Sequence, residues 1–214
     1  ESRESITCSV LECLHNWEAY QGISAPKGTN LYVLRQGEKR GHFMLKVYHG
    51  ATCIVRRPLC NAGRPNLDFG RGFYVTDLRE QAVSWAERQS AGRGLESLLN
   101  VYELDIDRVR VTYRCLRFEA YDEAWLNFIA NSRKGLQPWQ DYDFIEGGVA
   151  DDRVVDTVNL YLLGMMTADV ALERLAQHLP NNQMCLLSQP LIGECLRYID
   201  TELLTDMEHG KEGV

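Results

Sequence analysis

An α+β domain is what this 214-residue sequence predicts. Short stretches of strand character (Met44–His49, Leu98–Ile106, Met184–Leu187) are interspersed with segments of helical period such as Tyr121, Trp125, Phe128 and Ile129. They are joined by loops and hairpins rather than by a regular strand–helix alternation, which favours α+β over a doubly wound parallel sheet. No internal repeat and no low-complexity segment interrupts them.

Residues 1–43 read as an extension: Ile6, Val10, Leu14 and Trp17 recur at helical spacing, and Gly22 to Asn30 reads as a loop before a short strand at Leu31 to Leu34. The main domain spans 44–205, and 206–214 is a tail. Within the domain, Met44–His49 predicts a strand, and Arg56–Asp68, with Pro58, Gly63 and Pro65, a long loop. A second short strand follows at Gly72–Thr76. Asp77 is placed to cap a helix reaching about Gln89, with Ala82, Val83, Trp85 and Ala86 for its buried face. Leu98–Ile106 and Val109–Cys115 predict two strands joined by a turn at Asp107. The helix around Trp125 stops near Gly135. A strand at Tyr142–Ile145 leads to a helix capped by Asp151 or Asp152, and Thr167–Leu179 predicts another, ended by Pro180. Met184–Leu187 is a final core strand, and Ser188-Gln189-Pro190 opens a last helix to about Leu204.

Bulk composition narrows the classes. Hydrophobic residues make up 45% and charged residues 25%, as in ordinary globular proteins. The longest apolar stretch, Val158–Met166, is broken by Asn159 and Gly164, so no transmembrane helix is expected. No basic–apolar–small-residue leader pattern is visible. Seven cysteines, none at CxxC spacing, predict buried free thiols in a reducing, cytoplasmic compartment rather than disulfides or a zinc site. Between Arg56 and Gly94 seven arginines face four acids, whereas Glu119–Val214 holds six basic and seventeen acidic residues. A locally basic stretch suits a pyrophosphate, while the overall charge of −7 argues against broad nucleic-acid binding.

The most informative run is Asp68-Phe69-Gly70-Arg71-Gly72-Phe73-Tyr74-Val75-Thr76, read with Tyr48-His49-Gly50 and Asn182-Gln183. Its Gly-Arg-Gly-Phe-Tyr-Val-Thr portion is similar to the Gly-x-Gly-Ile-Tyr-Phe-Ala signature of the poly(ADP-ribose) polymerase branch of the ADP-ribosyltransferases. The span from Met44 to about Ile199 also resembles an uncharacterised family of bacterial domains that share the Tyr-His-Gly, Asp-Phe-Gly-x-Gly-Phe-Tyr and Asn-Gln elements. The resemblance covers most of the chain but not residues 1–43. It implies a split β-sandwich with surrounding helices, and NAD as a consumed substrate with no metal.

Site roles follow from that resemblance. His49 would hydrogen-bond the adenosine ribose. Gly50 would leave its backbone free to pair with the nicotinamide amide, since a side chain would block the approach. Tyr74 would stack on the nicotinamide ring. Gly70, Gly72 and Phe73 would line the dinucleotide, with Arg64 or Arg71 at the pyrophosphate. Where most of these transferases carry a Glu, this chain has Gln183, which can accept a ribose hydrogen bond but supplies no negative charge. Glu146 and Asp152, around Gly147-Gly148, are acceptor-side candidates, Glu146 also as a substitute carboxylate.

The implied activity is transfer of one ADP-ribose to a macromolecule, protein rather than nucleic acid, with catalysis by His49, Tyr74 and Gln183. A toxin- or effector-like context, with an antitoxin or regulatory partner, follows by analogy. Two alternatives remain: a domain that binds or senses NAD or ADP-ribose, and an RNA 2′-phosphotransferase, for which the acidic second half offers little. Asp68-Phe69-Gly70 lacks the catalytic loop of a kinase, and the glycine pair at 70 and 72 lacks the third glycine of a Rossmann fingerprint.

Overall fold

The computed structural model of the chain describes residues 43–64, 67–148, 152–176 and 181–204, leaving aside the side chains of Asp152 and Arg153. The helix, loop and strand expected within 1–43, the Asp151 cap, the stop at Pro180 and the 206–214 tail lie outside the described residues.

The architecture is α+β, with two sheets and six helices among the described residues. Strands β1 (Met44–Ala51), β3 (Ser97–Asp105) and β7 (Leu196–Leu204) form an antiparallel sheet in the order β1-β3-β7. Strands β2 (Phe73–Val75), β6 (Asn182–Leu186), β5 (Phe144–Gly148) and β4 (Cys115–Arg117) form the second, in the order β2-β6-β5-β4. Only the β4–β5 pair is parallel.

Strand alternation sorts the side chains into two cores. Val47, Tyr102 and Leu104 of the first sheet meet Phe73, Val75, Phe144, Met184 and Leu186 of the second. Helix α2 (Ile106–Thr112) adds Ile106 and Val109 to this core, and α6 (Gln189–Cys195) adds Leu191, Ile192 and Cys195. On the other face of the second sheet, Ile145 and Cys185 pack against α3 (Glu123–Arg133), α4 (Asp152–Leu162) and α5 (Ala168–Leu175). Trp125 of α3 is fully buried there and donates its indole N–H to the Gly148 carbonyl at 3.1 Å, so its polar edge is satisfied. Helix α1 (Arg79–Ser90) covers the outer side of the first sheet, over β1 and β3.

Four expectations are corrected. Val109–Cys115 is not a strand: Asp105 accepts from the Arg108 N–H and starts α2, whose Ile106 and Val109 reach the inter-sheet core. The last helix stops at Cys195, and Leu196–Leu204 is the edge strand β7, paired antiparallel with β3. Asp77 does not cap α1: Leu78 occupies that position, and its N–H is taken by the Thr76 hydroxyl at 3.1 Å. Trp85 is 47% exposed, because only Ala82 and Ala86 are small enough to lie where α1 touches the β1 backbone. The expected stop of α3 near Gly135 is present, with φ of 80° at that glycine. No described helix is long and apolar enough to cross a membrane.

Candidate functional site

β1 and β2 touch at a single antiparallel bridge. Tyr48 and Thr76 exchange both backbone hydrogen bonds, at 2.8 and 3.0 Å. Continued by one step, that register would pair Gly50 with Tyr74. Instead the His49 ring nitrogen Nδ1 lies 2.8 Å from the Tyr74 carbonyl oxygen. A carbonyl only accepts, so Nδ1 carries the proton and Nε2 holds the lone pair. The imidazole takes the place that the Gly50 N–H would have in a ladder, and the strands part there.

By strand alternation, Gly50 presents its N–H and carbonyl to the same edge as Tyr48, opposite the diverging β2. Its carbonyl meets Gln89 Nε2 at 3.4 Å. A side chain at 50 would strike the Ala82 carbonyl oxygen, 2.0 Å from the ideal Cβ position. The structure thus requires a glycine here because α1 lies against it. His49 rests on Phe73, ring centroids 4.6 Å apart. Burial lowers its pKa from the ordinary 6.5, against the raising effect of the Tyr74 carbonyl, so the ring is neutral at pH 7.

Tyr74 is half-buried, on the face of β2 opposite Phe73 and Val75. Its hydroxyl donates to the Gly70 carbonyl at 2.6 Å and accepts from the Phe69 N–H at 3.2 Å. Burial first, then the neighbouring Cys185, pushes the phenol pKa well above 10.0 and keeps it protonated. The turn it holds is fixed elsewhere too: Asp68 pairs with Arg133 at 2.7 Å, and Phe69 is fully buried. Gly70 has φ of 89°, and a Cβ there would lie 2.3 Å from the Trp139 ring. Gly72 is likewise pressed against Cys185 and Leu186 of β6. Expected to leave the loop bare for a dinucleotide, both glycines are bare because protein covers them.

Gln183 lies on the same face of the second sheet as Tyr74: β6 pairs Cys185 with Tyr74, and Gln183 is two residues further along. Its cross-strand partner on β5 is Gly147. No hydrogen bond joins the Gln183 side chain to a described residue. The glycine pair at 147–148 closes β5. A Cβ at 147 would crowd Phe118 and Phe69, and one at 148 would strike Tyr121.

Glu146 points to the opposite, inter-sheet side of the same sheet, 7% exposed. Arg110 Nη2 is 3.3 Å and Arg117 Nε 3.8 Å from its Oε2, and Asn182 Nδ2 donates to its Oε1 at 3.3 Å. The structure therefore does not bring Glu146 together with Tyr74 and Gln183, and two guanidinium groups offset its charge. Phe73, expected at the cofactor, is a core residue at 6% exposure that supports the His49 ring. Arg71 donates to the Gly63 carbonyl at 2.9 Å, and Arg64 is exposed. Asp152 opens α4, but its side chain lies outside the described residues. Asn182 enters the sequence motif only as half of the Asn-Gln element, with no role of its own; the structure gives it one, as a polar residue opening β6 beside Gln183. Trp139 left no signal in the sequence, since only the folded chain places it over Gly70.

A hollow of about 430 Å³, lined by Leu78, Arg79, Gln81, Ser84, Arg88 and Asn181, adjoins the start of β6. A larger one, about 690 Å³, lies at the far end of α1, and neither hollow is lined by an expected site residue.

Fold and site together define an α+β domain of two sheets parted at β1 and β2, with an imidazole holding the parting strands and a phenol and an amide sharing one sheet face. The chain belongs to the family described as Protein of unknown function (DUF3990), whose model matches residues 45–198. No curated protein and no solved structure matches it.

Proposed function

We propose that this chain is an NAD-dependent mono-ADP-ribosyltransferase that cleaves the nicotinamide–ribose bond and passes one ADP-ribose to a macromolecular acceptor. The observation that carries the reading is the parted β1–β2 pair. Opposite Tyr74 the Gly50 N–H and carbonyl are unpaired with β2, the carbonyl meeting only Gln89 at 3.4 Å, and would offer a carboxamide a donor and an acceptor once that amide swings aside, while neutral His49 keeps Nε2 as an acceptor for a ribose hydroxyl. The resemblance of these three residues to the transferase motif supports the same assignment.

In this reading nicotinamide leaves as a neutral molecule, taking the electrons of the glycosidic bond. Positive charge builds on the ribose, and an acceptor nucleophile then attacks the anomeric carbon and gives up its proton. Tyr74 offers its ring alone, because its hydroxyl is tied to the 69–70 turn. Gln183 accepts a ribose hydroxyl through its amide oxygen but adds no charge. An electrostatic contact of this kind contributes about 3–4 kcal/mol in comparable sites, so slow, single transfers are expected. The bond broken is NAD's and the bond formed is to the acceptor's nucleophile, while the chain binds and orients; the acceptor is a protein in the toxin- or effector-like context.

The same Gln183, with Glu146 held on the other sheet face, favours a second reading: a domain that binds NAD or ADP-ribose without turnover. Incubation with labelled NAD, with and without cell lysate, separates the two. Transferase activity predicts free nicotinamide and labelled macromolecules. Gln183→Glu should raise nicotinamide release by about 100- to 1,000-fold, and Tyr74→Ala should abolish it. Tight NAD binding with neither release nor label would leave only the binding domain.

A further inference from the structure

Asn182 is held from four directions. Its backbone carbonyl accepts from the Thr76 hydroxyl at 2.7 Å and from Gln81 Nε2 at 3.3 Å. Its side-chain Nδ2 donates to Asp77 Oδ1 at 3.1 Å and to Glu146 Oε1 at 3.3 Å. These partners come from the end of β2, the first turn of α1, and β5. One residue therefore ties the start of β6 to the strand that carries Tyr74, to the helix pressed on Gly50, and to the neighbouring strand.

Gln183 comes next in the chain, and its side chain is bonded to no described residue. Its orientation is inherited from the backbone, and the backbone at that point is held by the ladder to β5 and, at the end of that ladder, by the bonds of Asn182. We infer that Asn182 is a positioning residue for Gln183: its bridge between Asp77 and Glu146 sets the distance and angle between the Gln183 amide and the Tyr74 ring. This rests on the transferase reading above. The two carboxylates explain why an amide is needed at 182, since only a donor can lie between two acceptors, and Asn supplies two N–H groups on one nitrogen.

Asn182→Asp keeps the shape and replaces that donor with a third carboxylate oxygen. Asp77→Asn in the same chain reverses the polarity of the 77–182 bond and restores it. Nicotinamide release is measured as kcat and KM for NAD, per folded molecule, alongside thermal unfolding. Asn182→Asp should lower kcat by about 10- to 100-fold, the scale of an ångström-level misplacement, with KM within about twofold. The double variant should recover part of the loss, since it restores the bond to position 77 while the contact with Glu146 stays acceptor to acceptor. Asn182→Ala, which removes the bridge without adding charge, should reduce kcat in the same direction and serves if the Asp variant does not fold.

A wild-type kcat in Asn182→Ala or Asn182→Asp overturns the inference. So does a double variant as slow as the single one, or a loss confined to KM or to the folded fraction. Wild-type protein that neither binds nor cleaves NAD overturns the transferase reading, and this inference with it. Wild-type turnover with an indifferent Asn182 removes the inference alone.

Discussion

At the scale of single residues, the bond from His49 to the Tyr74 carbonyl does two things. It fixes the tautomer, and it occupies the backbone acceptor that would otherwise extend the pairing of β1 and β2. Burial makes protonation costly, so the folded pKa lies below the unfolded 6.5. Above pH 6.5 both states are neutral and His49 adds no pH dependence. As pH falls below that value the unfolded chain binds a proton first, and folding stability declines until the folded ring titrates. NAD affinity should therefore stay level from about pH 8 to below pH 6.5 and fall only when Nε2 is protonated. Calorimetric titration with NAD across about pH 5 to pH 8 tests this. A midpoint above 6.5 would contradict a buried, neutral acceptor, and His49→Gln should flatten the curve.

Between elements, α1 lies directly on the β1 backbone. The small faces of Ala82 and Ala86 let the helix backbone lie on Gly50, and Leu99 and Val101 of β3 are buried on that side of the sheet. Gly50→Ala forces the helix away or distorts the strand, at about 1–3 kcal/mol or more. Because α1 also supplies Gln81 to Asn182, the damage should pass to β6. The expected outcome is a lower unfolding midpoint together with weaker NAD binding. Unchanged stability in urea would show that the helix yields freely. The second core is less exposed to this change: its anchors, Trp125, Ile129, Val158 and Leu175, lie on the far face of the other sheet.

Over the described residues as a whole, two sheets share one core and the helices α3 to α5 close another. β7 completes the first sheet from the end of the sequence, against a strand ninety-odd positions earlier. Its Tyr198 packs edge-on to Tyr102 at 5.8 Å, and Tyr102 in turn meets Phe73 at 5.6 Å. The edge strand therefore supports the floor beneath His49. A chain ending at Cys195 leaves β3 without a neighbour on that side and uncovers Tyr102. It should lose the cooperative unfolding transition by circular dichroism, since the whole margin of a domain is about 5–15 kcal/mol. A sharp transition in the truncated chain would mean that β7 is an ornament of the fold.

Much of this was legible locally. The apolar runs of β1, β3, β5 and β6 and the period of α3 specify elements whatever surrounds them, and the glycine-rich run from Asp68 to Thr76 marks the turn into β2. The identities of His49, Tyr74 and Gln183 are likewise properties of the sequence. Tertiary structure alone decided the rest. Leu196–Leu204 follows a helix start and reads as its continuation, until the open edge of β3 supplies backbone partners. Val109–Cys115 alternates like a strand, but a cap at Asp105 and a place over the core make it begin as a helix. Which face of the second sheet Glu146 occupies is a matter of register, and a one-residue shift of β5 would turn it to the face that carries Gln183. Composition and period determined that an α+β domain forms with these groups on strands. The parting of β1 from β2, and the bridge at Asn182 that aligns β6 with it, arise from contacts between residues far apart in the chain, which local preference cannot encode.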